Sequence, residues 1–560
     1  MPTPSKSATS STFLILTLAA AAMAALLAFL PAAGHDQLWC LYVARHALDG
    51  SRLYGPELLE SNPPLIIWLS MLPASLAHLT HIPAPAIGKA LVVLLEALIA
   101  AVCLRLLPRV SRTQIIALAF VFVTLFNVVP ARDLGQRDHL LALLCLPYIL
   151  LAARRAESSV KTTSNFSSRP EAAPFAAAAE RPASPARTAT TTPLVAPSPQ
   201  TVAVTTATLI GLTAGIGLAL KPHQALIPIA IELYLILRHR SLRPVLRPEP
   251  LAILAVAVAY LTAIHTITPD YLTTVLPLLR DTYWAVGSLS LPQLILQAPQ
   301  LHLLATAALT LWITFRRRPS VGCSLFPVPC LLVAASASTL AYYLQGTGWY
   351  YQQLPAITFF AFALAFQLLP LLDHPLPTWT PKAALALSLL ALALTTHFMN
   401  YPFTEARSFP IETPDPAFFD HLAPGTPVAT LTTTVDYTVM PADRFHLTIA
   451  QRYPHLWLLP AILRNEDPGP NPPRHLIPPA RLAELDRLQH QFMTEDLAHW
   501  QPQLVLVERC NQPPGCQLLE DRRDDILTWF LRDPTFAAEW KSYTFIGTRG
   551  RYDAYARLSH

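Results

Sequence analysis

The chain is a series of long apolar blocks separated by short polar loops, and this pattern constrains its fold more than any other feature. A block needs about 20 residues to cross the hydrocarbon core of a bilayer. Such blocks begin near Thr12, Ala86, Thr113, His139, Val202, Gln224, Leu251, Ile295, Leu325, Leu354 and Ala383. They predict about eleven transmembrane helices. The block from Thr12 to Ala33 also fits a cleavable signal peptide, because Pro31-Ala32-Ala33-Gly34 is rich in small residues. The spans that follow it, and an n-region whose one cation is Lys6, favour a retained span. Composition agrees: 52% of residues are hydrophobic and 13% charged, against roughly 25% charged in soluble globular chains. The net charge of +5 is spread over short loops. That excludes a nucleic-acid partner, which would need a basic patch.

Lys and Arg in short loops set the orientation. With the N-terminus inside, the inner loops hold Arg105, Arg109 and Arg112; Arg154 and Arg155; Arg238, Arg240, Arg243 and Arg247; and Arg316 to Arg318. The outer loops hold fewer. An odd number of spans then places everything beyond about Asn400 outside. Residues 1–400 form the expected membrane module, with 157–200 an Ala/Pro/Ser/Thr-rich disordered cytoplasmic loop. Residues 401–560 form the expected soluble extracytoplasmic domain. Pro427–Thr434 and Leu504–Val507 read as strands, Leu482–Trp500 and Asp524–Leu531 as amphipathic helices, so this part is expected to be α/β. Cys510 and Cys516 flank a Pro-Gly turn, where an oxidising compartment would permit a disulfide. The other five cysteines lie in or beside apolar segments, as small buried hydrophobes do.

Ionisable residues concentrate on the outer face. The first outer loop runs from His35-Asp36 to Tyr54, and its apolar spacing predicts a helix lying on the membrane with Asp36 at its start. Asp36 there fits a helix cap as well as a catalytic base. Ser61-Asn62-Pro63-Pro64 imposes an extended turn before a further apolar stretch. The second outer loop packs Arg132, Asp133, Arg137, Asp138 and His139 into eight residues. That is a surface ion-pair cluster or a site for an anion or a metal. Lys221-Pro222-His223 ends a Gly-rich apolar run, and Gly346 to Gln353 carries Trp349, Tyr350 and Tyr351. An aromatic belt and a sugar-stacking surface both explain those rings.

Asp36 with Tyr42, then Gly50-x-x-Leu53-Tyr54, then Asn62-Pro63-Pro64-Leu65-x-x-Trp68 resembles the first outer loop of GT-C membrane glycosyltransferases. The protein O-mannosyltransferases and the lipid A aminoarabinose transferases, of the family 39 type, are the groups it is similar to. The aminoarabinose transferases tend to carry Lys before the Pro-Pro pair, where this chain has Asn62. The resemblance implies a GT-C-like helical bundle with outer-face interfacial helices. It implies inverting transfer of a hexosyl or pentosyl group from a polyprenyl-phosphate donor to an extracytoplasmic glycolipid, glycan or protein, in a bacterial inner membrane. Asp36 matches the acidic residue of the family's first loop, with Asp133 and Asp138 as acidic helpers. Arg137, His139, Lys221 and His223 would meet the donor phosphate. Tyr42, Tyr54, Asn62, Trp349 and Tyr350 would contact sugar or acceptor. A divalent cation, Mg or Mn, is the one cofactor that Asp133 and Asp138 could hold through oxygen ligands. A transporter or flippase of a lipid-linked sugar would share the spans and the cationic outer groups. It would commonly show paired repeats with matching broken helices, and no such repeat is visible. A non-catalytic assembly partner with a sensing C-terminal domain would not need so much charge on one face.

Overall fold

The computed structural model describes residues 33–108, 110–166, 203–285, 289–296, 308, 326–369, 414–467, 475–511, 515–516, 519 and 525–558. In chain order the membrane part runs α1 (His35–Leu48), α2 (Pro64–Thr80), α3 (Ala84–Leu106), α4 (Arg112–Val123), α5 (Arg137–Phe166), α6 (Val204–Leu220), α7 (Leu226–His239), α8 (Pro248–Ile267), α9 (Leu276–Thr282), α10 (Leu291–Leu296), α11 (Val328–Gln345) and α12 (Leu354–Leu368). Prolines sit in the first turns of α2, α3, α8 and α12, where a missing N–H costs nothing. Ser111 and Gln114 close a capping box at the start of α4.

Four described helices are long and apolar enough to cross a bilayer unaided: Ala84–Leu106, Arg137–Glu157, Pro248–Ile267 and Val328–Gln345. Three shorter apolar helices accompany them, Pro64–Thr80, Gln114–Val128 and Val204–Leu220. The chain is therefore a helical membrane protein, and the expected eleven spans are not all present among the described residues. The blocks from Thr12 and Ala383, and all but the start of the block from Ile295, lie outside them. The helix of α5 also continues to Phe166, past the expected loop boundary at Glu157. No proline or glycine interrupts Ser158 to Phe166, so nothing local stops the helix. At the end of the bundle expected to face inward, arginines are held in ion pairs. Arg155 pairs with Glu249 at 3.0 Å, and Arg247 with Glu232 at 2.6 Å.

The C-terminal part contains β1 (Pro427–Leu431), α13 (Asp436–Phe445), β2 (Thr448–Ile449), α14 (Leu459–Glu466), α15 (Pro479–Trp500), β3 (Leu504–Glu508), α16 (Ile526–Phe530), α17 (Pro534–Trp540), β4 (Tyr543–Arg549) and β5 (Tyr552–Arg557). The five strands form one mixed sheet in the order β2-β1-β3-β5-β4. β1 is parallel to β2 and β3, and β5 is antiparallel to β3 and β4. Every residue of β3 is buried, which explains why Leu504 to Val507 is an unbroken β-branched and leucine run. Cys510 and Cys516 are joined in a disulfide just after this strand.

The sheet packs directly on α1. Apolar residues of α1 (Leu38, Trp39, Val43) share one continuous core with Val428, Leu431 and Leu506 of the sheet. The Tyr42 hydroxyl donates to the carbonyl of Ile449 at 3.2 Å and accepts from its N–H at 3.1 Å. The Leu59 N–H donates to the carbonyl of Arg452 at 2.8 Å. α1 is thus covered by α2 on one side and α13 on another, rather than lying open on the membrane. The reason is visible in its sequence: Trp39, Cys40, Val43 and Ala44 add a second apolar face to the one carrying Leu38 and Leu41.

Candidate active site

Two backbone close approaches bring the start of α1 and the Arg132–His139 segment together. The Gly34 N–H donates to the carbonyl of Arg132 at 2.9 Å, and a Cβ at Gly34 would lie 2.9 Å from that same oxygen. Gly135 adopts φ +83°, and a Cβ there would press on Val92 at 3.0 Å. Glycine at both positions lets His35-Asp36 dock beside Gln136-Arg137.

Asp36 lies in the first turn of α1, whose N-cap is Gly34. Its side chain caps nothing. Oδ2 accepts from Gln136 Nε2 at 2.7 Å, and Oδ1 faces His35 Nε2 at 3.3 Å. The other ring nitrogen of His35, Nδ1, lies 2.7 Å from Asp436 Oδ1, on α13 of the C-terminal part. His35 is therefore clamped between two carboxylates. Burial alone would push a carboxyl up, but His35, Arg137 and the Gln136 hydrogen bond more than offset it and hold Asp36 well below the usual carboxylate range. Burial works against the His35 imidazolium, and Asp436 and Asp36 together raise its pKa well above the ordinary value. Asp436 is held low against its own burial by His35 and, more weakly, Arg132. The result is a carboxylate that stays charged in a partly buried position.

Around Asp36 the cations collect. Arg137 is in electrostatic reach of Asp36, Asp138, Tyr283 and Tyr351. The Lys221 Nζ, at the C-terminal end of α6, pairs with Asp138 Oδ2 at 2.8 Å and stands 5.5 Å from the centre of the Tyr351 ring. Trp349, Tyr351 and Tyr283 form a contiguous aromatic wall, with ring centroids 5.7 Å and 6.4 Å apart. Burial pushes the Tyr283 hydroxyl up to about 12, so it stays a neutral donor. The turns after Lys221 and before α12 both meet the end of α11. Gln224 and Gln353 on those turns are fully buried, and neither has a hydrogen-bond partner for its amide atoms among the described residues. Unsatisfied buried amides in a charged cleft are ready contacts for a polar ligand.

Several expected residues lie elsewhere. His139 turns away from Lys221: its Nε2 faces the carbonyl of Phe126 at 2.9 Å and Glu96 at 3.5 Å. The Tyr42 hydroxyl is consumed by the backbone of Ile449. Tyr350 donates to the carbonyl of Val129 at 2.8 Å and holds its turn in place. Tyr54 is buried and donates to the carbonyl of Asn62 at 2.6 Å, so both shape the loop. His223 is exposed at the rim and hydrogen-bonds Gln345. Asp133 sits in the turn that receives Gly34. Asp133 and Asp138 gather no third His, Cys, Asp or Glu ligand among the described residues. The Glu508, Cys510 and Cys516 group, close enough together to hold an ion, is the disulfide just described.

Glu60 is a further site residue, absent from the motif reading. It is fully buried, accepts from the Asn62 N–H at 2.5 Å, and is pushed up to about 7 by burial, against the pull of that bond, Arg137 and the Trp39 indole. Its one sequence signal is an acid directly ahead of Ser-Asn-Pro-Pro. Tyr351 and Tyr283 stood in quoted loops but gave no reason to be preferred over their neighbours. Asp436 carries no local signal at all.

No protein-family model matches the chain, and no curated protein matches it. Among solved structures it is similar to the arabinofuranosyltransferase AftD from mycobacteria at 15% identity and a TM-score of 0.42. That similarity covers 97% of this chain, which spans 40% of the AftD chain.

Proposed function

We propose that the chain is an inverting glycosyltransferase that moves a hexosyl or pentosyl group from a polyprenyl-phosphate donor to an extracytoplasmic acceptor. The observation that carries this reading is a partly buried carboxylate, Asp36, held ionised by His35 and Gln136 and within electrostatic reach of Arg137. An acceptor hydroxyl placed at Asp36 attacks the anomeric carbon. The bond to the phosphate oxygen breaks on the opposite face, and the electron pair leaves with the lipid phosphate. Arg137 and Lys221 stabilise that charge. Asp36 takes the hydroxyl proton late, once bonding to carbon has made it acidic, which suits a carboxylate of low proton affinity. Trp349, Tyr351 and Tyr283 offer a stacking wall for the sugar. The acceptor would be a glycolipid, glycan or protein. The membrane would be a bacterial inner membrane, with the N-terminus cytoplasmic and residues 401–560 outside.

The test is transfer by purified protein in nanodiscs, with polyprenyl-phosphate sugars and cell-envelope acceptors. Asp36→Asn is expected to lower turnover by about 10²–10⁴-fold while expression and membrane insertion stay intact. Wild-type turnover by Asp36→Asn would remove Asp36 as the base.

A further inference from the structure

A second site lies on the other side of the Gly135–His139 turn. Between α3, α4, α5 and α12 is a cavity of about 230 Å³. Its walls are apolar, with Ala100, Phe122, Leu150 and Phe366 among them. It opens beside helix faces on which Leu104 is 48% and Phe120 71% exposed, faces that a membrane-spanning bundle turns to lipid.

The upper end of this cavity is not apolar. Glu96 and Asn127 line it, exposed by 3% and 1%. The Asn127 amide donates to Glu96 Oε2 at 2.8 Å. Among the described residues Asn127 Oδ1 has no hydrogen-bond partner, and Glu96 Oε1 has only the His139 ring, whose Nε2 stands 3.5 Å away without making a hydrogen bond. His139 backs this floor: its Nδ1 accepts from the Gly135 N–H at 3.2 Å and its Nε2 faces the Phe126 carbonyl. So two buried polar side chains line the end of an apolar space with hydrogen-bonding capacity unmet, which costs free energy until a polar partner arrives.

We propose that this cavity binds an uncharged long-chain lipid alcohol, with its hydroxyl on Glu96 and Asn127 and its chain running along α3 toward Leu107. The distance from Glu96 to Leu107 is about 16 Å along a helix. A phosphate or carboxylate head would carry its charge about 18 Å below the outer start of α3, at a high cost in hydrocarbon. A plain hydrocarbon leaves both acceptors unsatisfied. An ammonium would have to enter about 18 Å below the outer start of α3, at a high cost in hydrocarbon. A hydroxyl supplies the donor without a charge.

The experiment uses the full chain in nanodiscs and hexadecan-1-ol carrying a mid-chain diazirine. Binding is read with no sugar donor present, so the outcome is independent of the transfer reaction. Saturable photolabelling is expected on peptides covering residues 93–123. Hexadecan-1-ol should displace it, and hexadecane, hexadecyl phosphate and hexadecylamine should not. Ala100→Trp, which fills the cavity, should abolish it. Asn127→Leu should weaken it about tenfold, the effect of one lost hydrogen bond. Should Ala100→Trp fail to fold, Asn127→Leu at an unchanged melting temperature carries the test. Unsaturable labelling would mean bulk lipid only and would overturn the proposal. So would equal displacement by any of the other three probes, labelling that survives Ala100→Trp, or undiminished labelling of Asn127→Leu.

Discussion

Replacing Glu60 by glutamine tests the electrostatics of the cleft without touching Asp36. Glu60 is fully buried, and burial raises its pKa from 4.5 to about 7. The folded protein therefore binds a proton between pH 4.5 and 7 that the unfolded chain has released. Stability from this group is complete below pH 4.5 and is lost as pH rises through 7. The displacement is worth about 3 kcal/mol. Glu60→Gln keeps an oxygen for the Asn62 N–H and removes the titration. Thermal unfolding in nanodiscs at pH 5 and pH 8 reads the difference. The wild-type protein should lose about 2.5 kcal/mol more than Glu60→Gln over that interval, seen as a larger fall in melting temperature. Parallel curves for the two proteins would show that Glu60 is already ionised at pH 5 and would refute the burial argument.

Three further perturbations follow from the same geometry. Lys221→Ala leaves Asp138 buried without its ammonium and should cost about 3–5 kcal/mol. Adding Asp138→Asn should restore melting temperature but not the binding of a polyprenyl-phosphate donor, and unchanged donor affinity would take Lys221 out of the site. Asp436→Asn removes one of the two carboxylates that keep His35 protonated. A His with a raised pKa loses its charge as pH rises, so the alkaline limb of transfer activity should move to lower pH. An unshifted limb would make the His35–Asp436 contact purely structural. A topology reporter fused at the C-terminus should report outside, and an inside signal would overturn the orientation drawn from the loop arginines.

Much of the fold was legible because membrane spans and strands obey short-range rules. Apolar length located α3, α5, α8 and α11, and β-branched runs located β1 and β3. The extent of α5 was misjudged because composition suggested disorder where nothing breaks the helix. At the site, Asp36, Arg137 and Lys221 were legible as charges at the ends of apolar runs, which hydrocarbon makes expensive. His139 carried the same kind of signal, and Tyr42 came from the family resemblance, yet they face Glu96 and Ile449, because neighbouring residues on a helix point about 100° apart and only packing decides which neighbour faces the cleft.

The sequence by itself determined that this chain is a membrane protein with acidic and cationic residues gathered at the ends of its apolar runs, since composition and block length leave no soluble alternative. Only the tertiary structure decided what holds Asp36. Its partners come from sites 100 residues away at Gln136 and, through His35, 400 residues away at Asp436. Charge pairing across such separations depends on which loops dock, and docking rests on glycine close approaches and a shared apolar core that no local pattern records.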